Sequence, residues 1–213
     1  MPRAYGFGMT RTGADVGMMG KGASLCFDTV TCLRGERLLF EGMSFTLAPG
    51  EAALVAGPNG TGKSSLIRLA AGLLQPAAGR IERAGRMAMS DENLALDMHK
   101  PLGRALSFWA RVDGNDGAAV DEALAALSLG HLAQVPVRML STGQRKRAML
   151  ARVLASKAPI WLLDEPANGL DTASQELLGA VMQIHLAAGG TILAASHQPL
   201  PLLFTQHIAL GAE

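Results

Sequence analysis

Eight consecutive residues restrict the fold of this chain more than any other feature. They fit the pattern G-x-x-x-x-G-K-[ST] and read Gly57, Pro58, Asn59, Gly60, Thr61, Gly62, Lys63 and Ser64. A continuous apolar run at residues 52–56 comes directly before them, and residues 63–74 have the apolar spacing of a helix. A buried strand, a glycine-rich loop and a helix in this order predict an α/β fold with a parallel sheet.

The residue types of this loop suit a phosphate group. Glycines allow successive backbone N–H groups to turn toward phosphate oxygens, and the following helix adds the positive end of its dipole. Lys63 offers a positive charge for the β- and γ-phosphates, and the Ser64 hydroxyl is a candidate Mg²⁺ ligand. The alternative, an ordinary glycine-rich turn, explains neither the strand before it nor the helix after it.

The rest of the chain alternates between strand-like and helix-like segments. Two strands are predicted before the loop, at residues 25–31 and 39–47. Helical spacing at residues 102–112 and 120–129, around a turn at 113–117, predicts a small helical insert. The later pattern predicts a helix, a strand, a helix and a strand at residues 144–156, 160–163, 173–187 and 191–195. Such alternation is typical of a parallel sheet covered by helices.

Composition limits the class of protein further. The chain has 213 residues, 49% of them hydrophobic and 4% aromatic, which is enough for one domain with an aliphatic core. Its net charge of +1 gives no general attraction to nucleic acid. Residues 1–23 contain no apolar run of signal-peptide length, and we predict a disordered extension before a domain at residues 24–213.

Two further features have structural explanations. Residues 177–196 are nearly uncharged and as long as a membrane span, but Gly189 and Gly190 divide them into a predicted helix and strand. Cys26 and Cys32 have neither the spacing nor the neighbouring histidines of a zinc or haem-attachment site. We expect both to be reduced packing residues.

An acid pair follows the predicted strand at residues 160–163. Asp164 and Glu165 would lie at the carboxyl end of a parallel sheet, where such sheets bind ligands. Asp164 is a candidate for holding Mg²⁺. Glu165 points elsewhere because strand side chains alternate, and it is a candidate base that orients an attacking water. Solvated loop acids are the alternative, but the phosphate loop earlier in the chain favours the functional interpretation.

A third motif lies in the sequence between the phosphate loop and the acid pair. It reads Leu140, Ser141, Thr142, Gly143 and Gln144. Ser141 is a candidate helix cap, and Gly143 would allow close approach of an anion to backbone N–H groups. The motif resembles the LSGGQ signature of ABC ATPases. That resemblance implies ATP as ligand, with Mg²⁺, and a homodimer in which these residues contact the γ-phosphate bound by the opposite subunit.

Further implications depend on this resemblance. It implies a phosphate-loop NTPase fold with a parallel core sheet, a small N-terminal antiparallel β part and a helical subdomain inserted at residues 90–150. Asp171, in the sequence Asn-Gly-Leu-Asp, is similar to the D-loop at the dimer interface, and His197 is similar to the switch histidine that contacts the γ-phosphate. Together with Glu165 and Lys63, His197 completes the expected catalytic set.

Two positions depart from the ABC pattern. Arg34 stands where most members carry an aromatic residue that stacks on adenine, and a guanidinium can also stack on a base. No glutamine occupies the Q-loop region at residues 90–94, so Glu92 or Asn93 would have to replace it. How such a subunit responds to a membrane partner is therefore an open question at the level of sequence.

Three stretches resemble the haem-exporter ATPases of cytochrome c maturation, the CcmA family: residues 34–40, 44–51 and 196–200. The resemblance implies an ATPase that drives integral permease subunits from the cytoplasmic face of the bacterial inner membrane. It would export haem or release the haem-loaded chaperone, without binding haem or nucleic acid itself. Another small-molecule ABC transporter and a soluble ABC ATPase are the alternatives.

Overall fold

The computed structural model describes residues 22–211. The predicted N-terminal extension therefore lies outside the described residues, apart from its last two positions. Eight strands and five α-helices follow one another in these residues, in the order β1 (Ser24–Arg34), β2 (Arg37–Leu47), β3 (Ala52–Ala56), α1 (Lys63–Ala70), β4 (Ala78–Ala84), β5 (Met87–Ser90), α2 (Leu102–Val112), α3 (Gly117–Ala126), α4 (Thr142–Ala155), β6 (Ile160–Asp164), α5 (Thr172–Ala187), β7 (Thr191–Ala195) and β8 (Gln206–Ala209).

The core is a five-stranded sheet in the order β5-β6-β7-β3-β8 with parallel pairing throughout. Every residue of β6 and β7 is buried, as expected for strands covered on both faces. Ile160 and Leu162 face α1, whereas Trp161 and Leu163 face the layer of helices α2 to α5. The predicted α/β fold with a parallel core sheet is confirmed.

A second, antiparallel sheet has the order β2-β1-β4. Its central strand contributes Leu25, Phe27 and Cys32 to the core, and the Phe27 ring stacks on Phe45 with 4.5 Å between ring centroids. This confirms the small antiparallel part. The sequence analysis missed β4, because its residues are polar and exposed and it is held mainly by backbone pairing with β1.

Several helix boundaries differ from the prediction, and two of these differences are explained by specific local contacts. Helix α1 ends at Ala70 rather than at residue 74, because Gly72 takes a positive φ of 75° and the Arg83 guanidinium binds the carbonyls of Leu69 and Ala70. Helix α3 begins at Gly117 rather than at residue 120, since the Asp116 carboxylate accepts hydrogen bonds from the first backbone N–H groups.

The uncharged stretch at residues 177–196 divides as predicted. Helix α5 ends at Ala187, and β7 begins at Thr191 as a buried central strand of the parallel sheet. Within residues 22–211, each helix is too short or too polar to traverse a lipid bilayer.

Candidate nucleotide-binding site

Two glycines of the phosphate loop lie where larger residues would clash. Gly57 has a φ of 150°, and a Cβ added there would lie 2.3 Å from the carbonyl oxygen of Leu210. Gly62 precedes α1 with a φ of 108°, and its added Cβ would lie 3.1 Å from the Leu39 Cβ. The loop is therefore confined between the end of β8 and the side chains of β2, and only glycine fits both positions without strain.

Lys63 is the first residue of α1, and its side chain turns back toward the loop. The residue is 6% exposed, and its Nζ donates hydrogen bonds to the carbonyl oxygens of Gly57 at 2.7 Å and Pro58 at 3.0 Å. The Thr61 hydroxyl donates to the same Pro58 carbonyl at 2.9 Å. The ammonium therefore has backbone partners on one side and retains a third N–H for an anion in the loop.

Asp164, the last residue of β6, is buried beside Ser64. Burial raises the pKa of its carboxyl group, and the Ser64 hydroxyl opposes that rise. Its Oδ1 atom is buried and accepts no hydrogen bond from any residue of the range 22–211. A buried carboxylate oxygen without a donor, next to a hydroxyl, is the arrangement that a hard cation with oxygen ligands would satisfy. The residues present thus fit Mg²⁺.

Glu165 and His197 come from adjacent strands and contact each other directly. Glu165 follows β6 with a φ of 50°, and its backbone N–H donates to Ala195 at the end of β7. The Glu165 Oε2 atom accepts a hydrogen bond from His197 Nδ1 at 2.8 Å. The Glu165 side chain is 16% exposed and that of His197 39%, so this pair faces a partly open space.

That space is a cavity of about 380 Å³ at the carboxyl ends of the core strands. It brings together seven of the residues selected from sequence: Asn59, Gly60, Gly62, Lys63, Ser64, Glu165 and His197. Asn168, the first residue of the Asn-Gly-Leu-Asp sequence that is similar to the D-loop, also lines the cavity. Sequence analysis gave no role to two other lining residues, Leu39 and Ser65. Ser65 was identifiable by position alone, because it follows the loop.

The signature residues do not line this cavity. Ser141 begins α4, where its hydroxyl accepts a hydrogen bond from the Gln144 N–H at 3.2 Å and the Gln144 side chain accepts one from the Ser141 N–H at 2.8 Å. An added Cβ at Gly143 would meet no atom of the described chain. The predicted helix cap is confirmed, and the backbone beside Gly143 is open on the surface.

The sequence pattern of the ABC transporter family matches residues 40–168, a range that includes the phosphate loop, the signature and the acid pair. This chain belongs to the ABC transporter family. The cytochrome c biogenesis ATP-binding export protein CcmA of Sphingopyxis alaskensis is 58% identical over 187 residues, which cover 88% of this chain and 96% of that relative. The protein with the same description from Zymomonas mobilis is 57% identical over 180 residues, covering 84% and 81%.

A solved structure supports the fold independently. An ATP-binding subunit of an ABC transporter superimposes with a TM-score of 0.74 and covers 81% of this chain and 79% of that chain. The two share 24% of their residues, so the likeness concerns the fold alone. The chain is thus an ABC ATPase with the core sheet, antiparallel sheet and helical layer of its family.

The two departures from the ABC pattern have different structural settings. Arg34 ends β1 opposite Arg37 and does not line the cavity formed by the described residues. Glu92 lines the cavity, whereas Asn93 donates its backbone N–H to Asp91 Oδ1 at 2.9 Å and its side-chain amide to Asp91 Oδ2 at 3.3 Å. Of the two candidate replacements for the Q-loop glutamine, the structure therefore brings only Glu92 to the nucleotide cavity.

Asp171 has a structural partner in the isolated subunit. It caps α5, with Oδ1 accepting a hydrogen bond from the Ser174 N–H at 2.8 Å. Hydrogen bonds from the Ser174 side chain and backbone lower the pKa of the Asp171 carboxyl group. This ABC subunit therefore presents Asp171 as a helix cap outside the cavity, like Ser141 at the start of α4.

Proposed function

We propose that this chain is the ATP-binding and ATP-hydrolysing subunit of a membrane ABC exporter, the haem exporter complex of c-type cytochrome biogenesis. The observation that carries the catalytic part is the shared cavity in which the buried Lys63 ammonium and the Glu165–His197 pair face one space. The transport part rests on relatives of 57–58% identity that are described as cytochrome c biogenesis export proteins.

The residues selected from sequence in and around the cavity have defined tasks in this proposal. Backbone N–H groups of Gly57 and of residues 59–62, together with the Lys63 ammonium, hold the β- and γ-phosphates of ATP. Ser64 and Asp164 hold Mg²⁺, which when bound neutralises phosphate charge. Glu165 accepts a proton from, and orients, the attacking water, while its contact with His197 fixes the carboxylate. The His197 imidazole, whose Nε2 contacts the Gln198 side chain at 3.2 Å in this structure, is the proposed contact for the γ-phosphate. Arg34, which ends β1 and does not line this cavity, is the proposed residue for stacking on the base.

The signature supports a homodimer. Ser141, Thr142, Gly143 and Gln144 form an open anion-binding helix start, yet they lie outside the cavity of their own subunit. A second copy of the chain would bring this helix start, and the region of Asp171, to the γ-phosphate held by the first. Two ATP molecules would then be enclosed between two subunits, which is the arrangement that the ABC resemblance implies.

A groove on the helical layer is the proposed contact for integral permease subunits. It has a volume of about 360 Å³ and includes Leu94, Leu96 and Phe108. The Phe108 side chain is half exposed and forms an edge-to-face contact with Trp109, whose ring packs inward. An exposed aromatic side chain beside a groove is a typical interface anchor. Such docking would hold the ATPase at the cytoplasmic face of the inner membrane.

A strain that carries Lys63→Ala tests the transport assignment. Loss of ATP binding should remove all holo c-type cytochromes from the periplasm and leave b-type haem proteins intact, because haem synthesis lies upstream. Haem staining of periplasmic proteins and spectra of membrane haem measure the two classes. Lys157→Ala is the matched control, since Lys157 is ion-paired with Glu122 and is not among the residues lining the nucleotide cavity. Normal c-type cytochromes in the Lys63→Ala strain would contradict the haem assignment.

A further inference from the structure

The segment at residues 91–95 connects the nucleotide cavity with the groove on the helical layer. Glu92 lines the cavity, and Leu94 and Ala95 line the groove. The segment follows β5 and has no helix or strand of its own. Within it, the described hydrogen bonds of Asn93 are to Asp91, so they stabilise the turn but do not fix it to the rest of the domain.

Two side chains from the helical layer hold this segment at both sides. The Trp109 indole Nε1 on α2 donates a hydrogen bond to the carbonyl of Ala95. The Arg152 guanidinium on α4 donates a hydrogen bond of 2.6 Å to the carbonyl of Met89. These two side chains also contact each other, because the Arg152 Cζ lies 5.1 Å from the centroid of the Trp109 ring. Arg152 and Trp109 thus contact each other and hold the backbone on both sides of Glu92, at Met89 and Ala95.

The chemistry of Arg152 indicates a specific role rather than general packing. Burial lowers the pKa of its guanidinium, and the negative charges of Asp113 and Asp91 oppose that change. Desolvating part of a cation is costly, whereas a methionine of similar length would fill the same space without desolvating a charge. The planar guanidinium can stack on the Trp109 ring and donate to a backbone carbonyl at the same time, which a methionine cannot do.

We infer that Arg152 and Trp109 form a clamp that positions Glu92 in the nucleotide cavity and connects that position to the groove. The inference deepens the proposed function and rests on it. Arg152 lies on the helix that Ser141 begins, and Trp109 is adjacent to the exposed Phe108. A partner bound against Phe108 would press on the clamp, and the clamp would move Glu92. This chain lacks the Q-loop glutamine. The Glu92 carboxylate, held by the clamp, would therefore connect the groove with the nucleotide cavity.

A double-mutant cycle on ATP hydrolysis tests whether Arg152 acts through Glu92. Arg152→Met should lower kcat about tenfold while the KM for ATP changes less than twofold, since a displaced group affects the chemical step more than phosphate binding. In a Glu92→Ala background the same change should cost less than twofold, because no side chain at position 92 remains to be positioned. Arg152→Lys should restore part of kcat. Arg111→Met, which changes an exposed arginine on α2, is the matched control and should leave kcat unchanged.

Tryptophan fluorescence supplies a reading that does not depend on turnover. The chain has two tryptophans, so Trp161→Phe leaves Trp109 as the single emitter. Adding ATP with Mg²⁺ should shift the Trp109 emission, and Arg152→Met should remove that shift without removing nucleotide binding.

Equal losses from Arg152→Met in the wild-type and Glu92→Ala backgrounds would overturn the clamp, and so would an unchanged Trp109 emission in protein that binds ATP. Absence of ATP hydrolysis in the wild-type protein would instead overturn the proposed function, so the two failures are distinguishable.

Discussion

Replacing Asp164 by asparagine is expected to stabilise the nucleotide-free protein while removing its response to Mg²⁺. The Asp164 carboxylate is buried, its Oδ1 has no donor among residues 22–211, and burial raises its pKa. A buried polar group without a partner costs about 1–3 kcal/mol. Asparagine retains an acceptor for the Ser64 hydroxyl but carries no charge, so we expect a gain of about 1 kcal/mol in the free energy of unfolding at pH 7.

The pH dependence of that gain follows from the direction of the pKa shift. Because the folded-state pKa of Asp164 is raised, the cost of its charge is present above that pKa and disappears as the pH falls through it toward the unfolded value. The difference between variant and wild type should therefore be largest at neutral pH. It should vanish near the ordinary pKa of a carboxyl group, about 4.

Urea and thermal unfolding at pH 7 and pH 4, without nucleotide, measure the difference. A gain of about 1 kcal/mol corresponds to a rise of about 2–4 °C in Tm for a domain of this size. Adding ATP and Mg²⁺ should stabilise the wild type by mass action and leave the variant nearly unchanged. An Asp164→Asn protein that is less stable than the wild type at pH 7, or equally shifted at both pH values, would refute the reasoning.

Three further predictions concern the site. Glu165→Gln should retain ATP and accumulate as an ATP-bridged dimer in size-exclusion chromatography; a monomer that hydrolyses ATP normally would contradict the role of Glu165. With Arg34 as the base-stacking residue, competition binding should show ATP preferred over GTP by less than about a hundredfold, or about 2.7 kcal/mol. Phe108→Asp should abolish co-purification with membrane permease subunits and leave ATP binding within twofold; retained co-purification would exclude the groove.

Local sequence signals predicted the elements that carry the site. The bounds of β3, α2 and β7 agree with the predicted ranges, because apolar runs and helical spacing at these places coincide with burial in the structure. The end of α1 was not predictable, since Arg83 caps it from a strand of the other sheet. Strand β8 was missed for another reason. It is short, and its residues alternate in exposure at the edge of the core sheet.

The candidate site shows the same division between local and distant causes. Lys63, Glu165 and His197 converge because each follows a core strand, and neighbouring parallel strands end at the same edge of a sheet. The choice between Glu92 and Asn93 depended on Asp91, whose carboxylate binds Asn93 and leaves Glu92 to face the cavity. Sequence periodicity could not predict which of the two residues faces the cavity, because hydrogen bonds within one turn decide it.

The pairing of β3 has a consequence for synthesis of the chain on the ribosome. Strand β3, which leads into the phosphate loop, pairs with β7 and β8 and with no earlier strand among the described residues. Ribosomes add about 5–20 residues per second, so the strand and its loop wait several seconds for both partners to be made. During that interval the apolar strand lacks its sheet neighbours and is exposed to aggregation. Slowing translation before β7 should therefore lower the yield of soluble protein more than slowing it after β8.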